Sequence, residues 1–154
     1  MEKLMDSISR DYLNKYLSSL PQEIREQFTK FDSYYYCADE QNANICADLV
    51  LKGEKRASAS MQWYYETENE PLPEIGQLTV VTNWEGIPQC IVETISVETR
   101  SFKDVDAEFA FEEGEGDKSL KFWREEHWKF FSIECEEIGR KPSQEMLIIL
   151  ERFK

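Results

Sequence analysis

Scarcities in this sequence each remove a class of function. No apolar run approaches the ~20 residues that a membrane-spanning helix needs. The opening MEKLMDSISRDYL has no apolar stretch of the secretory-leader kind, so a cytoplasmic protein without membrane contact is expected. Histidine occurs once, and the four cysteines, Cys37, Cys46, Cys90 and Cys135, stand far apart with no CxxC. That pattern argues against structural zinc, and no metal or other cofactor is expected. Cys46 and Cys90 sit inside apolar stretches and read as buried free thiols. There is no internal repeat, low-complexity tract or interdomain linker.

Positive charge is also in short supply. Eighteen Lys and Arg against 31 Asp and Glu leave a formal charge of −13, and such a surface repels polyanions at long range. RNA binding would need a local basic patch or a pocket that reads one nucleotide. A small substrate is easier to reconcile with this charge.

What is present suffices for one folded unit. Hydrophobic residues at 41% and aromatics at 13% of 154 residues support a single core. Leu4, Ile8, Tyr12, Tyr16 and Leu20 recur every four residues and predict a helix, with Pro21 opening a second through Ile24 and Phe28. FDSYYYCADE reads as a turn with an aromatic cluster. Asp39 caps the next helix, whose face is Ala43, Cys46, Ala47, Val50 and Leu51, and Gly53 ends it. Ala57, Ala59 and Met61 alternate with Ser58 and Ser60, which predicts a strand. TENEPLPEIG is a loop, and QLTVVTN and QCIVETISVETR are strands joined at EGIP, the three strands forming an antiparallel meander. SFKDVDAEFAFEE reads as a helix ended by Gly114, a second helix runs from an Asp117 cap to about Cys135, and QEMLIILERF is a buried strand. The sum is an α+β domain around a small, partly closed sheet.

Two segments carry candidate chemistry. LKGEKRASAS places Lys52, Lys55 and Arg56 in an otherwise acidic chain, with Ser58 three residues beyond Lys55. A hydroxyl beside an amine is a workable nucleophile and base if the lysine titrates near pH 7. Against this, exposed lysines after helix ends are common. In FEEGEGDKSLKFW, an EF-hand started at Glu113 fails, because Lys118 and Arg124 stand where glycine and glutamate are required. Glu113 either points into a cleft or belongs to a solvated acidic turn. His127, on an aromatic helical face, reads as a core histidine. Trp63, Tyr64 and Tyr65, with Tyr34 to Tyr36, could stack on a base. Arg124 could neutralise Glu115 or Asp117, or reach a phosphate.

Taken together, GEK followed by RAS, then PEIGQLTVVTNWEGIPQCIVET, SFKDVDAEFAFEEGEGDKSLKFWREEHWKFF and EMLIILERF resemble the ASCH domain, in the branch with the EGEGD…W…H..FF signature. The resemblance spans about Tyr36 to Phe153. It implies a PUA-like small β-barrel (ASCH fold) with flanking helices over residues 31–154, preceded by a helical extension over 1–30. It also implies a role in RNA metabolism, some members being ribonucleases and some amidohydrolases on acylated cytidine. The GxKxx(T/S) motif falls on Gly53, Lys55 and Ser58, with serine where threonine is usual, and the AxxE glutamate falls on Glu113. The expectation is a nucleoside or single-nucleotide cleft. There Ser58 attacks, Lys55 accepts the hydroxyl proton, and Glu113 orients Lys55, while Glu115 and Asp117 cap the following helix. The alternative is a non-catalytic module for single-stranded RNA, with Lys52, Lys55, Arg56, Lys121 or Arg124 on phosphates and Trp63 or Tyr64 stacking on a base.

Overall fold

The computed structural model describes residues 5–36 and 39–154; Leu4 and Cys37 lie outside them. Helix α1 (Ser7–Ser18) starts at Asp6, whose carboxylate accepts from Ser9 N–H. Its buried row is Ser9 and Leu13, with Leu17 packed beside them, whereas Ile8, Tyr12 and Tyr16 are exposed. The inward face is therefore one position off the predicted stripe. Leu13 meets Leu78 and Val80 of the sheet, and that tertiary contact outweighs the larger but amphipathic tyrosines. Pro21 is followed by a single turn, α2 (Gln22–Arg25), shorter than expected.

Helix α3 (Glu40–Leu51) forms as predicted. Asp39 Oδ1 accepts from Asn42 N–H at 2.8 Å, and Ala43, Cys46, Ala47 and Val50 are buried while Leu51 is exposed. These small side chains let the helix lie close on a core of Tyr36, Val81, Val92 and Phe153. Gly53, at φ +79°, ends the helix in the left-handed region.

The sheet has order β1-β3-β4-β5-β2, with β1 at Phe31–Tyr34, β2 at Ala57–Met61, β3 at Leu78–Thr82, β4 at Pro88–Ser101 and β5 at Leu147–Phe153. Strands β3 and β4 form the expected hairpin. Two findings depart from the expected meander. FDSY is a strand, paired in parallel with β3. Strand β2 pairs with β5 rather than with its neighbours in sequence. The sheet is also open rather than closed into a barrel, with β1 and β2 as its edges. Both edges line one cavity, so the sheet curls until its margins face each other across that space.

Three helices complete the domain. Gln62–Glu68 forms α4, a short helix that carries Trp63, Tyr64 and Tyr65. Helix α5 (Ala107–Glu113) begins at Asp106, after β4 has run on to Ser101 and a 3-10 turn has intervened. Helix α6 (Leu120–Glu137) is capped by Ser119, not Asp117, with Ser119 Oγ accepting from Phe122 N–H at 3.1 Å. Asp117 instead accepts from Ser119 N–H at 2.8 Å. Trp123, Phe131 and Cys135 of α6 pack on Phe102, Phe109, Ile148 and Leu150.

One glycine controls how α5 meets the start of β2. Gly114 (φ +72°) lies against the Glu54–Lys55 backbone, and a Cβ there would fall on the Glu54 carbonyl, 2.8 Å from its carbon and 3.1 Å from Lys55 Cα. Gly53 has nothing within 4 Å of such a Cβ. Gly53→Ala should therefore cost only the left-handed penalty of about 1–2 kcal/mol. Gly114→Ala should add an overpacking cost of about 1–3 kcal/mol. Urea unfolding of the two variants checks the difference, and equal losses would contradict this close approach.

Candidate functional site

The turn after α3 aims Lys55 inward. Glu54 and Lys55 N–H both donate to Leu49 O, at 2.9 and 3.1 Å, and Arg56 N–H donates to Glu112 O at 2.8 Å, tying the start of β2 to α5. Lys55 is 2% exposed. Its ammonium donates to Ala57 O at 2.7 Å, Glu113 Oε2 at 3.0 Å and Glu115 Oε2 at 3.1 Å, and it stands 5.3 Å from the centroid of the Tyr36 ring. Three donors thus meet three acceptors. Burial pulls the lysine pKa down, but Glu113 and Glu115 more than compensate and hold it well above its ordinary value. A lysine so held keeps its proton near neutral pH, which removes the basis for its expected role as proton acceptor.

Glu113, the last residue of α5 and 1% exposed, lies between the Lys55 ammonium and the His127 ring. Burial alone would raise its pKa; Lys55 and His127 reverse this and hold the carboxyl well below the usual range. His127 Nδ1 is 2.9 Å from Trp123 O, and because a carbonyl only accepts, Nδ1 carries a hydrogen. His127 Nε2 stands 3.3 Å from Glu113 Oε1, within ion-pair distance though not aligned as a hydrogen bond. That placement favours a second proton, and Glu113 raises the histidine pKa against the opposing effect of burial. The ring also stacks on Trp123, at 4.2 Å between centroids. His127 is accordingly an electrostatic partner as well as a packing residue.

Glu115 belongs to the same cluster rather than to a helix cap. Its Oε1 accepts from Cys46 Sγ at 3.3 Å. Burial, aided by the neighbouring Glu113 carboxylate, raises its pKa against the pull of Lys55. Glu113, Glu115 and His127 present ligand atoms within 4.8 Å of one another, but the Lys55 ammonium already stands where it neutralises both carboxylates. A divalent ion added there would face that positive charge at close range.

These groups, with Ser58 and Tyr64, line a cavity of about 590 Å³. The other anticipated residues lie elsewhere. Gly53 only ends α3. Arg56 is exposed and outside the lining, and its peptide bridges α5 and β5. Trp63 packs against the core beneath Arg140. Arg124 donates to the carbonyls of Lys103 and Val105, at 3.0 and 3.3 Å. Lys52 pairs with Asp48 at 2.7 Å, and Lys121 is exposed outside the cavity. Sequence reasoning undervalued Glu115, His127 and Tyr36 and passed over Asp32 and Glu151, which line the same space.

Removing the central cation should be costly. Lys55→Met should destabilise the protein by about 3–5 kcal/mol at neutral pH, because the buried Glu113 carboxylate and the half-buried Glu115 lose their partner. Part of the loss should return as the pH falls and those carboxylates take up protons; urea unfolding at several pH values reads both effects. His127 has the opposite dependence to a depressed acid. Its raised folded pKa contributes stability fully present below the free value of 6.5 and lost as the pH rises through the folded value. His127→Gln should flatten that decline.

Comparison with known proteins agrees with the architecture. The ASCH domain family model matches residues 32–154. The crystal structure of an ASCH domain from Lactobacillus crispatus JV V101 superposes with a TM-score of 0.94 at 50% identity, over 97% of this chain and 94% of its own. Protein EF3133 from Enterococcus faecalis V583, of family DUF984, superposes at 0.76 with 25% identity, over 94% and 83% of the two chains. The hypothetical protein PH0355 shares the fold alone, at a TM-score of 0.51 and 16% identity, over 82% of this chain and 98% of its own. No curated protein matches the chain. Together, the matched span and the near-complete superposition place this chain in the ASCH domain family, with an open-sheeted, PUA-like fold.

Proposed function

We propose that the cavity binds a small, uncharged, nucleoside-sized molecule and hydrolyses an acyl amide on it, acylated cytidine-type nucleosides being the substrate class. The carrying observation is the charge of the lining. Eight acidic residues face the space against three lysines and His127, and Lys55 is held by two of those acids. A volume of about 590 Å³ suits a small-molecule site, and Tyr64 and Tyr65 offer aromatic faces at its wall.

Ser58 is the nucleophile in this reading. The Lys55 ammonium bonds the Ala57 carbonyl, which belongs to the peptide leading into Ser58, so the buried cation lies beside the attacking residue. The Lys55 ammonium brings a fixed positive charge to the site, the sign a developing oxyanion needs. Glu113 fixes the position of Lys55. Recognition through phosphates is the weaker reading, because Lys52 and Arg124 are engaged elsewhere and Arg56 and Lys121 lie outside the lining.

Acetate release from N4-acetylcytidine tests the proposal. Wild-type protein should turn over, Ser58→Ala should fall to background, and Glu113→Gln should lose on the order of 100-fold in kcat. The rate should stay nearly flat with added salt, where phosphate-driven binding weakens steeply. Absence of turnover, together with salt-sensitive RNA binding, would overturn the reading in favour of an RNA-binding module.

A further inference from the structure

With Lys55 protonated and its donors engaged, the hydroxyl proton of Ser58 has to leave by another route. Strand β5 supplies one. Ser58 of β2 stands directly opposite Glu151 in the antiparallel register. Residues so paired carry their Cβ atoms on one face, about 4.5–5.5 Å apart, which brings a glutamate carboxylate within reach of a serine hydroxyl. Both residues line the cavity. Glu151 is 7% exposed, yet its buried Oε1 accepts no hydrogen bond among the described residues. An acceptor left in that condition is costly unless something donates to it.

We propose that Glu151 is the general base of this site, taking the proton of Ser58 Oγ as that oxygen attacks the acyl carbon. The assignment rests on the hydrolase reading above. The Oγ–C bond forms, the carbonyl becomes an oxyanion, and the C–N bond then breaks as Glu151 passes its proton to the leaving amine. Water next attacks the acyl-serine, losing a proton to Glu151, and the Oγ–C bond breaks as Glu151 returns that proton to Ser58. Amide and water become carboxylic acid and amine, and Lys55 stays protonated throughout.

The surroundings suit the role. Asp32 and Tyr34 of β1, Tyr36, Lys55, Thr94 of β4 and Tyr65 of α4 are the polar and charged groups arranged around Glu151. Burial first, and then the Asp32 charge, raise its carboxyl to about 7. A base poised there is ionised in useful amount near neutrality and can give its proton back.

The experiment uses full-length protein and N4-acetylcytidine. Wild-type kcat/KM should fall on the acid side of about pH 7. Glu151→Gln, isosteric with the native residue, should melt near the wild-type temperature and lose about 10²–10⁴-fold in kcat with KM changed only a few-fold. Asp32→Asn, by removing the neighbouring charge, should move the acid limb to lower pH, a shift no purely structural role predicts. Should Glu151→Gln fail to fold, the wild-type limb and its displacement by Asp32→Asn decide the matter. Wild-type kcat in folded Glu151→Gln, a loss confined to KM, or a limb that Asp32→Asn leaves in place would each overturn the assignment alone. No turnover by the wild type would overturn the hydrolase reading and this assignment with it.

Discussion

A buried ammonium organises this molecule. Lys55 could not sit at 2% exposure without full compensation, and the acceptors that provide it come from separate parts of the chain: Ala57, Glu113 at the end of α5, and Glu115 in the following loop. His127 of α6 enters through Glu113. The pairing therefore sets where α5, its glycine-bearing loop and α6 lie relative to the sheet. Gly114 serves the same end, since only a residue without Cβ lets the acidic loop pass directly over the Glu54–Lys55 backbone. Such clusters are weak contributors to net stability, but they are demanding about geometry. Here that demand defines a site.

The electrostatics of the site follow from the same arrangement. A lysine held by two carboxylates offers a fixed field, with its proton retained. The lining repeats, at short range, the acidity of the whole chain. Together they disfavour a phosphodiester ligand and leave uncharged or amine-bearing molecules as those the cavity can accept without repulsion.

Local rules recovered the elements whose causes are local. Asp39, Gly53 and the Ala43–Cys46–Ala47–Val50 spacing specify α3 within a dozen residues, and EGIP between two β-rich runs specifies the β3–β4 hairpin. Strand β1 escaped because its pairing with β3 is parallel and separated by more than forty residues, so nothing within FDSY announces it. The Lys55–Glu113 pair was legible through family resemblance, not through spacing. Glu115 and His127 were assigned to helix capping and packing because their partners arrive from other elements. Glu151 was hidden in LIILERF, where a continuous apolar run masks the alternation that puts Ile149, Glu151 and Phe153 on one face.

The open seam of the sheet has a consequence beyond access. An edge strand ordinarily exposes a row of unpaired peptide groups that can template pairing with another chain. In this fold the two margins, β1 and β2, border the same hollow, which α4 and α6 also help to line. A second molecule would have to enter that hollow to extend the sheet. The gap that keeps the barrel from closing thus also shields the strands most prone to self-association.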